Sequence, residues 1–428
     1  MELRNASLPV LVLPMDHYGA LGVVRSLGRL GIPVYGAHPR RRPVASFSRY
    51  CRKVFPLDLE ALPTNEAVGC LGDIAGEIGG KPLLMATNDE TAIFIARNAA
   101  RLERYFVFPR NPIDVVWSLY NKKEMYFLAR RLNIPTAETV FPESRKDVLE
   151  FCEKAQFPVM LKASDNIRVA GRTGKKMVIV RTKDELVAQY DEMEDVSHPS
   201  LMIQEYIPGK DESVWMFDGY FDEQSECLFG VTAKKLHQTP VYTGMTALGI
   251  CLPNPVIEAS TKMLMKAVGY RGILDIGYRY DARDSSFKLL DANPRLGATF
   301  RLFVDNNGMD VARAEYLHYT GQPIPAGSIC TGRKWIVEDA DPISCIQYYR
   351  DGVLTLSDWL KSYSGIQECA WFAADDVTPF LRMCSLFSLR PFRKILRMGR
   401  GLFKPPAGNV VDHSHAMHRR TAKGERVL

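Results

Sequence analysis

The chain has 428 residues, 46% hydrophobic and 24% charged, enough apolar content to fill more than one core and to exclude a largely disordered protein. Its apolar runs, such as PVLVLPM and PVMLKA, are strand-length and far short of the ~20 residues of a membrane span, and the start MELRNASLPV lacks the apolar core of a secretory signal. The net charge of +6 is uneven: from Ser385 onward ten Lys/Arg stand against two acids, so the preceding body is slightly acidic and no nucleic-acid partner is expected for it. Nine cysteines are scattered singly, with no C-x-x-C pair, which fits reduced thiols in a cytoplasmic protein rather than a zinc ribbon or a disulfide framework.

In chain order, LPVLVLP (8–14) predicts a buried strand, YGALGVVRSLGRL (18–30) a helix with small residues toward that strand, and IPVYGAH a second strand. This βαβ unit opens a parallel sheet. PLLMATND (82–89) predicts another buried strand ending in polar residues, followed by the helical ETAIFIARNAARL, so residues 1–112 form a small Rossmann-like α/β domain. YGALG lacks the full G-x-G-x-x-G spacing, and a dinucleotide site there is weakly supported. Pro112 marks a boundary, after which Met125, Leu128, Ala129 and Leu132 share one helical face. From there to about residue 325 hairpins dominate. PVMLKAS and KKMVIVR flank the loop DNIRVAGRTG, ESVWMFDGYFDEQSECLFGVTAKKL predicts two antiparallel strands, and LDIGYRYDARDSSFKLLDA predicts two more. The expected class here is α+β with mixed antiparallel sheets. Residues 326–384 read as a mainly helical extension, and 385–428 as a basic, mobile tail.

Several residues invite chemistry, each beside a plainer role. Lys162 ends the otherwise apolar FPVMLKAS and either snorkels to the rim or meets an anion in a cleft. Lys122 opens a helix, where the dipole disfavours a cation; it is either a surface lysine or one used elsewhere. Gly171 and Gly174, ahead of Lys175 and Lys176, are turn glycines or a loop closing over phosphates. In LMIQEYIPGKDES a strand runs through Gln204 into Glu205, Tyr206 and Ile207 and then to Asp211 and Glu212: a solvated turn, or a hinge that reads a purine edge with an acid for its ribose. In KLLDANPR, strand alternation puts Asp291 and Asn293 on one face with Phe287 and Leu289. A carboxylate and an amide oxygen suit Mg²⁺, which keeps its other positions for water and phosphate. Asp275 on the partner strand lies opposite Asp291 if the register permits. Arg295 either neutralises a phosphoryl group or pairs with Asp291.

In this order the features resemble the ATP-grasp superfamily, and most closely its uncharacterised carboxylate–amine ligase group. The resemblance runs over about residues 8–325 and rests on NKKEMYFLARRLNIPTAET, FPVMLKAS, the glycine-bearing loop, QEYIPGKDE and, most specifically, LLDANPR, which is similar to the terminal (E/D)-x-N-P-R signature. It implies an N-terminal pre-ATP-grasp domain (1–112) and a two-lobed ATP-grasp domain (113–325), with a lid lobe at about 120–205 and a C-terminal lobe at about 206–325. It implies ATP as substrate and Mg²⁺, with Mn²⁺ as a substitute. Lys122 and Lys162 would contact phosphates under a lid at Gly171–Gly174, Gln204 to Ile207 would hold adenine, and Asp211 or Glu212 the ribose. Asp291 and Asn293 would ligate metal, and Arg295 would stabilise an acyl phosphate. The family's remaining metal acid falls near Gly277, which has no side chain, so Asp275 is the substitute. His237 stands where relatives carry arginine.

The reaction implied is ATP-dependent joining of a small carboxylate to an amine. Specificity is expected to lie in the N-terminal domain and in loops such as 236–249, with Lys235 and Arg301 as carboxylate partners. A rival reading, motivated by Gly277, is an ATP-binding regulatory or scaffolding protein without turnover. The tail segment LFSLRPFRKILRMGRGLF could rest on an anionic membrane surface, though a docked helix or solvated tail is the plainer reading. The HSHAMH run (413–418) reads as an incidental histidine cluster and Met263 and Met265 as core; the oligomeric state is open, a homodimer being one expectation.

Overall fold

The N-terminal sheet is parallel, with strand order β3-β2-β1-β4 in a computed structural model that describes residues 3–164, 177–195 and 198–388. Its strands are β1 (Val10–Leu13), β2 (Val34–His38), β3 (Cys51–Pro56) and β4 (Leu83–Ala86). Every residue of β1 is buried, as parallel strands covered on both faces require, which is why LPVLVLP shows no alternation. The helices Tyr18–Gly28, Thr64–Ile78 and Asp89–Arg97 follow β1, β3 and β4. The expected lid glycines Gly171 and Gly174, Lys175 and Lys176, and the tail from residue 389 with its histidines lie outside the described residues.

A second sheet, β5-β8-β6-β7, is antiparallel: β5 (Thr139–Val140), β6 (Val159–Ala163), β7 (Met177–Val180) and β8 (Leu201–Glu205). Alternation decides its faces. Val159, Leu161 and Ala163 pack with the helices Arg145–Cys152 and Lys183–Met193 into one core, and Lys162 points to the other side.

The third sheet has seven strands in the order β13-β12-β9-β10-β11-β14-β15. They are β9 (Val214–Phe221), β10 (Cys227–Thr239), β11 (Met245–Cys251), β12 (Gly272–Asp281), β13 (Ser286–Asn293), β14 (Lys334–Ile336) and β15 (Ile366–Cys369), antiparallel except for the β14–β15 pair. Phe217, Leu274, Ile276 and Ala292 form one core with Leu119, Met125, Leu128 and Ala129 from the helices Ile113–Tyr120 and Lys122–Arg131. On the helix Pro255–Val268, Met265 joins this core while Met263 is exposed, so one of the two methionines expected inside is not. The segment 326–384 supplies the last two strands at one end of this sheet as well as the helices Asp341–Arg350 and Leu356–Ser362 and most of Thr378–Ser388. KWI and IQEC are too short to show a period, so their place in the sheet is set by tertiary pairing. Within residues 1–383 the chain packs as one unit.

Candidate active site

The floor of the site is a row of acids on the face of the third sheet away from the aromatic core. Register places Asp218 of β9 opposite Asp275 of β12, and Asp275 opposite Asn293 of β13. Asp291 lies opposite Gly277, so all four polar side chains share one face. The expectation that Leu289 and Phe287 share that face with Asp291 is not met. Between Gly277 and Tyr278 of β12 the pairing jumps from Asp291 to Leu289, so an extra residue bulges out of β13. The bulge reverses the alternation, sending Leu289 and Phe287 to the core side and Asp291 out to solvent.

Gly277 has a steric reason as well as a missing acid. A Cβ there would stand 2.4 Å from Asp291 Oδ1, so the bare backbone makes room for that carboxylate. Gly297 does the same for Asp275, whose Oδ2 would be 2.7 Å from an added Cβ. Arg295 ties this floor to the N-terminal sheet. It donates to Asp275 Oδ2 (Nη1, 3.0 Å) and to Asp89 Oδ1 (Nε, 3.0 Å), just beyond β4, where Leu296 N also donates to Ala86 O. Burial raises the Asp275 acid and Asp291 adds to this, while Arg295 opposes both. Asp218 is fully buried with neither carboxylate oxygen hydrogen-bonded; burial and then the Asp275 charge push its acid well above the usual range.

A second group, the lysine wall, comes from the helix Lys122–Arg131 and the second sheet, and its Lys162 senses the Asp291 charge of the floor. Asn121 caps the helix Lys122–Arg131 by accepting from Lys123 N and Glu124 N, which places Lys122 in the first turn. From there Lys122 Nζ reaches Ala163 O at 3.0 Å, at the end of β6. Lys162 donates to Gln204 Oε1 (2.7 Å), whose amide donates to Thr139 Oγ1 (2.9 Å), so three strands of the second sheet fix one ammonium. Burial, then the neighbouring Lys122, push the Lys162 ammonium down to about 8, against the pull of Asp291.

Between wall and floor lies the segment after β8. Gln204 is occupied with Lys162. The Glu205 carboxylate is held by Lys288 (2.9 Å), Arg283 (2.9 Å) and Glu138 N (3.1 Å), which together outweigh burial and lower its acid. Arg279 donates to Ile207 O (2.9 Å) and Gly209 O (2.6 Å) and stands over the Tyr206 ring, so it fixes the turn. Of the two candidate ribose acids, Asp211 is buried and accepts from the Tyr348 hydroxyl, whereas Glu212 is mostly exposed, with Lys234 at 3.9 Å. Lys235 donates to Gly244 O at 2.9 Å; burial lowers its ammonium, opposed by Asp291, Asp275 and Asp211. Arg301 stands apart, bound by Glu368 and Asp310.

Asp218, Asp89, Arg279 and Tyr348 were not among the residues singled out in the sequence. Asp218 sits inside the core-like WMFDGYF, and the others matter through partners 60 or more residues away, for which sequence offers no local sign. The donor set of the floor fits a hard divalent cation. Asp275, Asp291 and Asn293 offer oxygens only, and the absent Cβ at 277 leaves the Asp291 carboxylate room.

No family model matches the chain. It is 26% identical over 242 residues to a D-aspartate ligase of Enterococcus faecium (strain Aus0004), covering 54% of this chain and 57% of that ligase, so the chain spans little more than half of that relative. The biotin carboxylase domain of Hydrogenobacter thermophilus 2-oxoglutarate carboxylase, solved with MgADP, ADP and bicarbonate, superposes with a TM-score of 0.58 at 18% identity over 77% of this chain and 73% of that one. An L-amino acid ligase from Bacillus licheniformis does so with a TM-score of 0.54 at 14% identity over 73% and 74%.

Proposed function

We propose, taking the ATP-grasp fold shared with these structures as the premise, that the chain is an ATP-dependent carboxylate–amine ligase. The observation that carries this reading is the row of Asp218, Asp275, Asp291 and Asn293 on one sheet face, with Arg295 held between Asp89 and Asp275 beside it.

A carboxylate is a poor electrophile, and phosphorylation by ATP gives it a leaving group. Lys122 and Lys162 would receive the phosphates, Tyr206 and Ile207 would border the base, and the accessible Glu212 would take the ribose hydroxyls. Asp275, Asp291 and Asn293 would hold Mg²⁺, which when bound neutralises triphosphate charge. Arg295, kept charged and in place by its two carboxylates, would stabilise the acyl phosphate as it forms. Lys235 would hold the acceptor carboxylate beside the loop that its own hydrogen bond to Gly244 fixes. The amine then attacks the acyl carbon, phosphate leaves, and an amide or peptide bond results with ADP. Water must be kept out, because it would hydrolyse the acyl phosphate.

The reading without turnover rested on the bare position 277. The place of Asp275 opposite Asn293 supports the ligase instead. The test is phosphate release from ATP over paired amino acids and small carboxylates, with Asn293→Ala as control. Release with at least one pair, lost in the control, is expected; tight ATP binding with no release in any pair would favour the non-catalytic protein.

A further inference from the structure

Away from the nucleotide cleft, β10 meets the helix Asp341–Arg350 in a buried polar knot. His237 follows Lys235 by two residues on β10, and Asp341 and Cys345 lie one turn apart on the helix, so both face the strand. His237 Nδ1 is 2.8 Å from Asp341 Oδ1 and 3.4 Å from Cys345 Sγ, and Cys345 Sγ is 3.3 Å from Asp341 Oδ2. All three residues are buried, Asp341 and Cys345 completely, and their donor atoms lie within 4.8 Å of one another. Tyr363 donates to the same Asp341 Oδ2 at 2.8 Å.

A cysteine, a histidine and an aspartate together suggest a nucleophile with its base, but the geometry rules that out. A relay needs the thiol on one imidazole nitrogen and the carboxylate on the other. Here both approach Nδ1, and no solvent reaches the sulfur. What the arrangement does resemble is one face of a metal tetrahedron. Zinc bonds of about 2.0–2.3 Å to nitrogen, oxygen and sulfur imply ligand–ligand edges of roughly 3.3–3.6 Å. The Nδ1–Sγ edge already has that length; Asp341 meets the imidazole through Oδ1 and the thiol through Oδ2, so its carboxylate must turn to bring one oxygen to both, from donor atoms that lie within 4.8 Å of one another.

We propose that His237, Asp341 and Cys345 form a structural site for a thiophilic divalent cation of the zinc class, separate from the magnesium floor. Binding exchanges protons for the ion. The thiol proton leaves, the Nδ1 proton that His237 donates to Asp341 is exchanged for one on Nε2 so that Nδ1 is free to ligate, and thiolate plus carboxylate balance the dication within the protein interior. The Tyr363 hydroxyl, already on the Asp341 carboxylate, is placed to turn to the fourth position. The thiolate and imidazole select against Mg²⁺, whose ligands are oxygens. The site would clamp the helix Asp341–Arg350 to β10, the strand that carries Lys235.

The test uses the full chain stripped with chelator and titrated with Co²⁺, then Zn²⁺. One cobalt per chain with a thiolate-to-cobalt charge-transfer band is expected, bleached by one equivalent of zinc and untouched by a thousandfold excess of Mg²⁺. Cys345→Ser should abolish the band, and His237→Gln should weaken cobalt binding by more than the about 10- to 100-fold that outer-shell losses cost. X-ray absorption on the zinc-loaded wild type, which needs no variant, should show one sulfur per zinc. A folded wild type without the band, a band surviving in Cys345→Ser, or a zinc shell holding only nitrogen and oxygen would overturn the site. That last result would point instead to the tail histidines His413, His415 and His418.

Discussion

The two sides of the cleft solve opposite electrostatic problems. On the lysine wall, Lys162 is bonded to a neutral amide, and burial with a second lysine nearby makes its charge costly. On the acid floor, Asp275 already has its counterion in Arg295, which Asp89 holds from the other side. On the wall an anion would offset the lysine charge, whereas in the floor Asp275 is paired and Asp218 is pushed toward its neutral form by burial, which leaves Asp291 outside the ion pairs, exposed beside Asn293. A group whose charge is satisfied internally fixes geometry; one whose charge is not is where a ligand gains most.

The largest effect should come from the unsatisfied part of the floor. Asp291→Ala or Asn293→Ala is expected to lower ligation by about 10²–10³-fold, the scale of losing one transition-state stabiliser. Asp291 is exposed, so its melting transition should stay within about 0.5 kcal/mol of wild type. Steady-state ADP formation beside thermal melts checks both, and full activity in either variant would break the division into wall and floor.

Next is the wall. Lys162→Met should weaken ATP binding by roughly 10²-fold, as loss of a buried charge-assisted contact does. The pH dependence follows from the depressed ammonium, about 8 against an ordinary 10.5. Above about 8 the free protein has lost this proton, so ATP binding must take one up and affinity falls. For stability the sign is opposite. Between about 8 and 10.5 the unfolded chain binds more protons at this site than the folded one, so its contribution to stability rises with pH. Isothermal titration in buffers of different ionisation enthalpy should show proton uptake in the wild type above pH 8 and less of it in Lys162→Met. Equal uptake in both would remove Lys162 from the phosphate site.

Gly277→Ala sharpens the floor itself. Its Cβ would meet Asp291 Oδ1 at 2.4 Å and displace the carboxylate. Mn²⁺ affinity, read by electron paramagnetic resonance in the presence of nucleotide, should fall by about tenfold, within the range for disturbing a ligand's support. Restoring an acid at 277 should harm rather than help, because the space is already used.

The parts of this picture that sequence made legible are the local ones. β1 and β4 announce themselves as short, fully apolar runs, and the hairpins of β6–β7, β9–β10 and β12–β13 by their turns. The lysines and the D-x-N pair were legible as residue types at the ends of strands. Their meaning was not, because it depends on pairing across the chain. The bulge before Asp291 comes from register against β12, Asp218 is pushed toward its protonated form by burial and by Asp275 opposite it, and Arg295 is fixed by Asp89 beyond β4. The two strands of the C-terminal segment were missed for the same reason: three or four residues carry no period.

That segment gives the smallest and most discriminating change. Tyr348 of the helix Asp341–Arg350 donates to Asp211 and accepts from Gln238 N at 3.2 Å, so it joins the turn after β8 to the end of β10. Tyr348→Phe keeps the ring and leaves a buried carboxylate without that donor, a loss of about 1–3 kcal/mol. If Asp211 serves only to anchor the turn, the melting temperature falls and the Michaelis constant for ATP does not change. If the turn must be held for Glu212 to meet the ribose, the constant for ATP rises about fivefold with kcat unchanged, since a ribose contact is made equally before and during phosphoryl transfer. The second outcome is expected, because Arg279 already anchors the same turn through Ile207 and Gly209, so the remaining freedom lies at Asp211 and Glu212.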